Sequence, residues 1–206
     1  MFQRSIIAAG MLLIVVSMRA AAQSATGVDR PHSIGVAAEW AYPFRGTDPL
    51  NGTPGFDATY RAWVQPNVAV ELEFGLWRRT YSGTFRLAGY QVPPEHKGEV
   101  VYSTYTEHYS FYNAGVNVIG RVPIGRVGII GGGGPGLFVG QQRESSLVND
   151  AVQTSSTRST HLGVQGLAAM ELRLTDRFAA FGGIRAEWRA LDTFIRYPIA
   201  GARFSF

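Results

Sequence analysis

The sequence predicts an all-β fold: eight antiparallel strands in an up-and-down meander, closed into a transmembrane barrel and preceded by an N-terminal signal peptide. Three observations support this prediction. Short segments alternate apolar and polar residues with the two-residue period of a strand. Tight turns and long polar connections alternate along the chain, as they do in membrane-spanning barrels. The chain opens on an export signal and ends on an alternating apolar strand.

The alternation is clearest at residues 68–77, VAVELEFGLW, where Val, Val, Leu, Phe and Leu share one face and two glutamates lie on the other. We expect strands at 34–42, 56–64, 68–77, 112–118, within 127–141, and at 162–174, 178–188 and 194–206. No long stretch has the periodicity of an amphipathic helix. Apolar bands of this length suit tilted strands that cross a bilayer, which need about 9–11 residues.

The connections predict which end of the barrel faces which compartment. Turns are expected at 65–67, 121–126 and 175–177, and long polar loops at 43–55, 79–103 and 144–158, with a short fourth loop near 191–193. In outer-membrane barrels the short turns are periplasmic and the long loops extracellular.

Turn length and pattern together also predict a register. A three-residue turn places Val64 opposite Val68, and the same geometry places Leu174 opposite Phe178. Arg61 then lies directly opposite Glu71, as an opposite-charge cross-strand pair.

The N-terminus predicts export. Residues 6–16 are apolar, follow Arg4 and precede Ala20-Ala21-Ala22, so we expect a signal peptide at 1–22 and a barrel domain at 23–206. Cleavage there removes two of the 19 basic residues, which leaves them nearly balanced by 15 acidic ones. This near-neutral charge, without any Lys/Arg run, argues against a nucleic-acid partner. The chain has no cysteine, which excludes disulfides, a thiol nucleophile and cysteine-ligated zinc.

The polar face of the strands predicts a network of charges inside the barrel. An eight-stranded barrel has an interior just wide enough for side chains, so opposite charges there are expected to pair. The expected lumenal network comprises Glu39, Arg61, Glu71, Glu73, Glu171, Arg173, Arg185, Glu187 and Arg203, and the same face carries Asp57 and Arg189. The apolar face then meets lipid, with aromatic residues near both ends at Trp40, Tyr42, Trp188, Phe178, Phe204 and Phe206. A soluble lipocalin-like barrel is the alternative fold.

The last strand carries a resemblance to a known family. Phe204 and Phe206 alternate with small residues at the end of the chain, and this ending resembles the signal by which barrel proteins are recognised for insertion. With the export signal, the eight strands and the turn motif LTDRF at 174–178, the chain resembles the small outer-membrane β-barrel family, which includes the OmpA barrel domain and OmpX/Ail. Pro198 in the last strand departs from the pattern, and a bulge or strand end would tolerate it.

The resemblance implies a bacterial outer-membrane location. The sequence leaves the oligomeric state open, and we expect a monomer. Phe204 and Phe206 would then be the insertion signal read by the barrel-assembly machinery. Outer-membrane lipid or lipopolysaccharide would be the surrounding partner.

Three motifs invite a chemical interpretation. GGGGPG at 131–136 lacks the lysine and hydroxyl that a phosphate loop requires, so we interpret it as a strand whose glycines leave space for bulky neighbours. His108 and Ser110 share a strand face, as in some lipid A deacylases, but no carboxylate on that face would orient the histidine. Glu71 and Glu73 could act as paired carboxylates, although Arg61 opposite favours an ion pair. No catalytic, cofactor-binding or metal site is predicted.

Three function classes remain. The leading one is a non-enzymatic outer-membrane barrel with a packed polar lumen and surface loops, serving envelope structure or adhesion. The alternatives are a small-molecule transport barrel of porin or OmpW type and a lipid A hydrolase. The connection at 79–103 contains Tyr81, Tyr90, Tyr102 and Tyr105 amid Arg78, Arg79, Arg86 and Lys97. We expect either an extracellular ligand surface there, since aromatics and arginine favour interfaces, or a plain hairpin extension.

Overall fold

Eight antiparallel strands form one closed barrel in the computed structural model, each paired with its neighbours in sequence, with the last strand closing onto the first. The structure describes residues 31–43, 52–86, 102–148, 151–189 and 193–206. The strands are β1 (His32–Pro43), β2 (Thr53–Gln65), β3 (Val68–Arg86), β4 (Tyr102–Ile124), β5 (Val127–Val148), β6 (Ala151–Arg173), β7 (Phe178–Arg189) and β8 (Thr193–Ser205). The predicted all-β meander of eight strands is confirmed. The predicted signal peptide at 1–22 lies outside the described residues.

The four central strands are much longer than predicted. β3 to β6 contain 19 to 23 residues each, whereas the other four strands contain 12 or 13. The prediction of loops at 79–103 and 144–158 was therefore wrong over much of their length: residues 79–86, 102–103, 144–148 and 151–158 are strand. Polar residues predominate in these segments, with Leu147 and Val152 as an exposed apolar pair, so the apolar alternation ends while the backbone ladder continues.

The predicted register holds at both hairpins, with one local difference. Arg61 pairs with Glu71, as predicted. The Leu174 N–H donates to the Phe178 carbonyl over 2.9 Å, as that predicted pair requires. Val64 does not pair with Val68, because a bulge shifts the register and places Gln65 opposite Val68.

The glycine-rich segment lies inside β5 as predicted, and the pairing fixes its faces. The burial of Ile130 and Phe138 and the exposure of Leu137 indicate that the even-numbered residues of β5 point inward. The β4–β5 ladder is interrupted beside Pro135, which has no N–H to donate. A Cβ at Gly134 would collide with the Val116 carbonyl oxygen, so glycine is required at this close approach. The β1–β8 ladder is likewise interrupted at Pro198.

The outer face of the barrel is a continuous band of exposed apolar side chains, which we call the apolar belt. It comprises Ile34, Val36, Phe56, Phe74, Val116, Val118, Ile129, Leu137, Leu162, Val164, Met170, Leu172 and Ile184. The inner face holds the charged residues between two small apolar clusters, one around Trp63 and Ile119 and one around Trp77 and Tyr197. Among the described residues, no helix is long and apolar enough to cross a membrane.

Candidate functional site

In the half of the lumen nearest the tight turns, three arginines form ion pairs with two glutamates. We call this set the turn-side cluster; its members are Arg61, Glu71, Arg121, Glu171 and Arg203. Arg61 donates from Nε and Nη2 to Glu71 Oε2 over 2.9 and 2.7 Å. Arg203 reaches the same oxygen over 3.2 Å and lies 3.6 Å from Glu171. Arg121 lies 3.7 Å from Glu171 and is the last member of the cluster. Glu71 and Glu171 therefore each form ion pairs with arginines from at least two other strands.

The middle of the lumen centres on Arg185 of β7; we call this the central cluster. Its guanidinium lies 2.7 Å from Glu39 Oε1, 2.9 Å from Asp57 Oδ2 and 2.7 Å from Glu73 Oε1. These carboxylates come from β1, β2 and β3, so one side chain bridges the barrel from wall to wall. All four side chains are at least 98% buried. Burying a charge costs free energy unless an opposite charge lies beside it, and these short ion pairs offset that cost.

Three side-chain amides complete the bonding of Glu73. Asn113, Asn117 and Gln165 donate to its oxygens over 2.9, 3.0 and 2.9 Å. Asn113 also donates to Glu187 over 2.8 Å and so links the central cluster to the next layer. Neutral amides let a carboxylate be fully hydrogen-bonded without adding charge.

The loop-side end of the lumen is closed by an aromatic layer. Tyr197 donates to Glu187 over 2.8 Å and accepts from Arg189 over 2.8 Å, and its ring lies 5.0 Å from that of Trp77. The Arg189 guanidinium lies 4.7 Å above the Phe138 ring, a cation–π contact. Trp77 and Tyr197 are fully buried. This layer and the clusters below it fill the described lumen with buried side chains.

The structure brings eight of the nine predicted lumenal residues together: Glu39, Arg61, Glu71, Glu73, Glu171, Arg185, Glu187 and Arg203 are buried inside the barrel. Arg173, at the last residue of β6, is exposed and lines the cavity at the turn end of the lumen, and it forms no ion pair among the described residues. Arg121 and Gln165 were missed. The sequence predicts a turn at Arg121, whereas β4 continues to Ile124 and carries Arg121 inward.

The other candidate motifs lack catalytic geometry. His108 and Ser110 lie on the outer face, and His108 Nδ1 lies 3.0 Å from Thr80 Oγ1. Ser110 pairs with Arg78 on β3 and Gln141 on β5, so no carboxylate stands beside the pair on either adjacent strand. Glu71 and Glu73 are both held in the ion pairs described above. The described residues contain no group of three or more His, Asp or Glu side chains placed to hold a metal.

Beyond the apolar belt, the β3–β4 extension has an aromatic interior. Tyr81 and Tyr109 meet edge to face at 5.8 Å, and the Arg79 guanidinium lies 4.3 Å above the Tyr81 ring. Tyr109 donates to Glu107 over 2.7 Å, and burial followed by this bond raises the pKa of the Tyr109 phenol above its usual range. Tyr81 therefore packs within the protein, whereas Arg78 is exposed. Tyr90 and Lys97 lie outside the described residues, as do the side chains of Arg86 and Tyr102.

Comparison with protein families identifies the fold. The model of the outer membrane protein beta-barrel domain matches residues 8–203, and the chain belongs to this family. The predicted resemblance and the bacterial outer-membrane location are thereby confirmed. A search of curated proteins finds no match.

Solved structures agree with the family. Ail, the attachment invasion locus protein of Yersinia pestis, superposes with a TM-score of 0.57 at 13% identity, covering 87% of this chain and 100% of Ail. Ail in complex with the heparin analogue sucrose octasulfate gives 0.58 at 15% identity, covering 85% and 97%. Neisserial surface protein A gives 0.51 at 14% identity, with the same coverage of 85% and 97%. At these identities the likeness shows the fold.

Proposed function

We propose that this outer-membrane barrel is a non-enzymatic envelope protein that presents its two long hairpins at the cell surface. The observation that favours this function is the contrast between a filled lumen and extended strands. Arg185, Glu39 and Tyr197 are almost inaccessible to solvent, whereas most of the polar residues of β6 from 152 to 161 are exposed. A protein built this way offers outer surface rather than an interior passage.

The proposed orientation places the three tight turns in the periplasm and the β3–β4 and β5–β6 hairpins outside the cell. Turns lie at Pro66-Asn67, Gly125-Arg126 and 174–177. Gly125 has φ +63°, a left-handed conformation that favours glycine in a two-residue hairpin turn. Short periplasmic turns and long outer hairpins are the usual arrangement of outer-membrane barrels. Ligand binding or adhesion by the hairpins is supported by their exposure and by the fold shared with Ail.

A small-molecule transport barrel is the alternative function, and one cavity is relevant to it. A cavity of about 410 Å³ opens at the turn end and is lined by Arg121, Glu171 and Arg203. It ends at the ion pairs of the turn-side cluster, so passage would require the central cluster and the Trp77–Tyr197 layer to separate. A lipid A hydrolase is less well supported, because His108 has no carboxylate partner among the paired residues of the adjacent strands.

Two measurements test this function together. Protease added to intact cells is expected to cut within the β3–β4 or β5–β6 hairpin and to spare the turns; cleavage at the turns alone would reverse the orientation. Purified barrel in planar bilayers is expected to give no large, stable single-channel currents. Such currents from the wild-type protein would favour the transport barrel instead.

A further inference from the structure

Three arginines and one histidine lie on the outer face of the barrel just beyond the apolar belt. Arg78 on β3, His108 on β4, Arg143 on β5 and Arg158 on β6 are all exposed. The three arginines form no ion pair with any side chain in the described part of the chain. We call this set the basic patch.

The strand pairing makes the basic patch continuous. His108 lies directly opposite Arg143. Arg158 lies opposite Gln141, which precedes Arg143 by two residues on the same face of β5. Arg78 lies opposite Ser110, diagonal to His108. Directly opposite side chains are about 5 Å apart at Cβ and diagonal ones about 7–8 Å, within reach of long side chains. His108, Ser110, Gln141 and Arg143 together line a pocket of about 210 Å³ at the centre of the patch.

The acidic residues of the same strand segments point the other way. Glu107 neighbours His108 and Glu144 neighbours Arg143, so the alternation of the strands directs both carboxylates to the interior face. Glu107 accepts its hydrogen bond from Tyr109 there. Among the described residues, the outward face here therefore carries arginines and no carboxylate, at a height where the apolar belt has just ended.

An apolar groove lies directly below the patch. Ala114 follows Ser110 on the same face of β4, roughly 13 Å toward the turns. It sits between the larger Phe74 and Leu137 on the neighbouring strands, and the row continues to Leu162. These four residues line a depression whose walls are almost wholly apolar.

We infer that the basic patch and this groove bind one phosphorylated glycolipid of the outer leaflet, with its phosphate at His108, Arg143 and Arg158 and an acyl chain over Ala114. This inference rests on the orientation proposed above. Arginine forks match phosphate geometry, and charge-assisted hydrogen bonds are the stronger class. The patch faces sideways, continuous with the lipid-facing surface, so a membrane lipid satisfies both halves of the site. A soluble polyanion would satisfy only the upper half.

The test uses the whole barrel in detergent and counts bound lipid by native mass spectrometry. Wild-type protein is expected to retain bis-phosphorylated lipid A and to release its dephosphorylated form. The double variant R143Q/R158Q is expected to weaken binding of the phosphorylated form by about tenfold or more, because two charged donors are lost. The control R126Q/R177Q removes two exposed arginines at the turn end and is expected to leave binding unchanged.

Three results would overturn the inference. They are equal retention of both lipid A forms by the wild-type protein, equal loss in both double variants, and binding of sucrose octasulfate at this patch without binding of lipid A. The heat-dependent gel shift of each variant reports folding, and the comparison of the two lipids on wild-type protein needs no variant. Protease cutting of intact cells reports orientation separately, so failure of the lipid site is distinguishable from failure of the proposed function.

Discussion

Arg185 is the single residue on which the interior of the barrel depends most. Its guanidinium contacts carboxylates from β1, β2 and β3, and no other arginine of the described lumen bridges three acidic side chains at 2.9 Å or less. Removing one partner of a buried ion pair leaves the other charges uncompensated. The loss of Arg185 would do so for Glu39, Asp57 and Glu73 together.

We therefore expect R185M to destabilise the barrel by about 3–5 kcal/mol, the cost of breaking a buried pair. The measurement is the urea midpoint of the heat-dependent gel shift in detergent or lipid. R173M is the matched control, since Arg173 is exposed and forms no described ion pair, and a change within about 0.5 kcal/mol is expected. Equal effects of the two substitutions would mean that the central cluster does not stabilise the fold.

The packing of large side chains inside the barrel also depends on glycines, which leave the space that those side chains occupy. A Cβ at Gly55 or Gly75 would collide with the Trp77 indole, and one at Gly115 would collide with the Gln165 amide. The prediction that glycines of β5 leave space for bulky neighbours holds for Gly136, where a Cβ would lie 2.8 Å from Phe138. A sequence pattern marks such positions as small, but it does not say which large residue fills the space.

The β3–β4 extension is the element that differs most from its predicted form. Its ladder continues to the pair Arg86 and Tyr102, well beyond the last apolar pair. Side-chain contacts support it locally, among them the 3.1 Å hydrogen bond between Ser82 and Thr106. The extension is thus a hairpin that continues beyond the apolar belt.

Deletion of residues 83–98 is expected to leave folding and membrane insertion intact, because every pair from Ser82–Thr106 downward remains. The measurement is the heat-dependent gel shift together with membrane fractionation. Deletion of residues 68–77, the apolar part of β3, is the control and should abolish both. If the hairpin deletion also abolished the gel shift, the extension would be an integral part of the fold.

At the scale of the whole molecule, the barrel is inverted relative to a soluble protein. Val118 is 59% exposed and its neighbour Ile119 is fully buried, although both are large aliphatic residues. The first lies on the outer face of the barrel, while the second packs with Trp63 and Ala69 inside. The apolar belt would be a liability in water, where exposed apolar patches of this extent promote association.

Single-cysteine variants are expected to show this inversion, and the chain has no native cysteine to interfere. V118C should react with a thiol reagent confined to the acyl layer, and I119C should remain unlabelled, because only the first side chain faces lipid. The two positions are adjacent on one strand and so share depth. Labelling of I119C in preference to V118C would contradict the transmembrane placement.

The sequence by itself determined the all-β class, the eight strands and, for every strand except β5, which face is polar. Alternation and turn chemistry are local properties that a linear chain displays, as the Arg61–Glu71 pair across one turn shows. Tertiary structure alone decided the rest. It brought Arg185 to Glu39 across 146 positions, left Arg173 exposed at the turn-end mouth of the lumen and extended β3 to β6 beyond the apolar bands. These outcomes follow from barrel closure and from backbone pairing that requires no apolar side chain, so no local pattern records them.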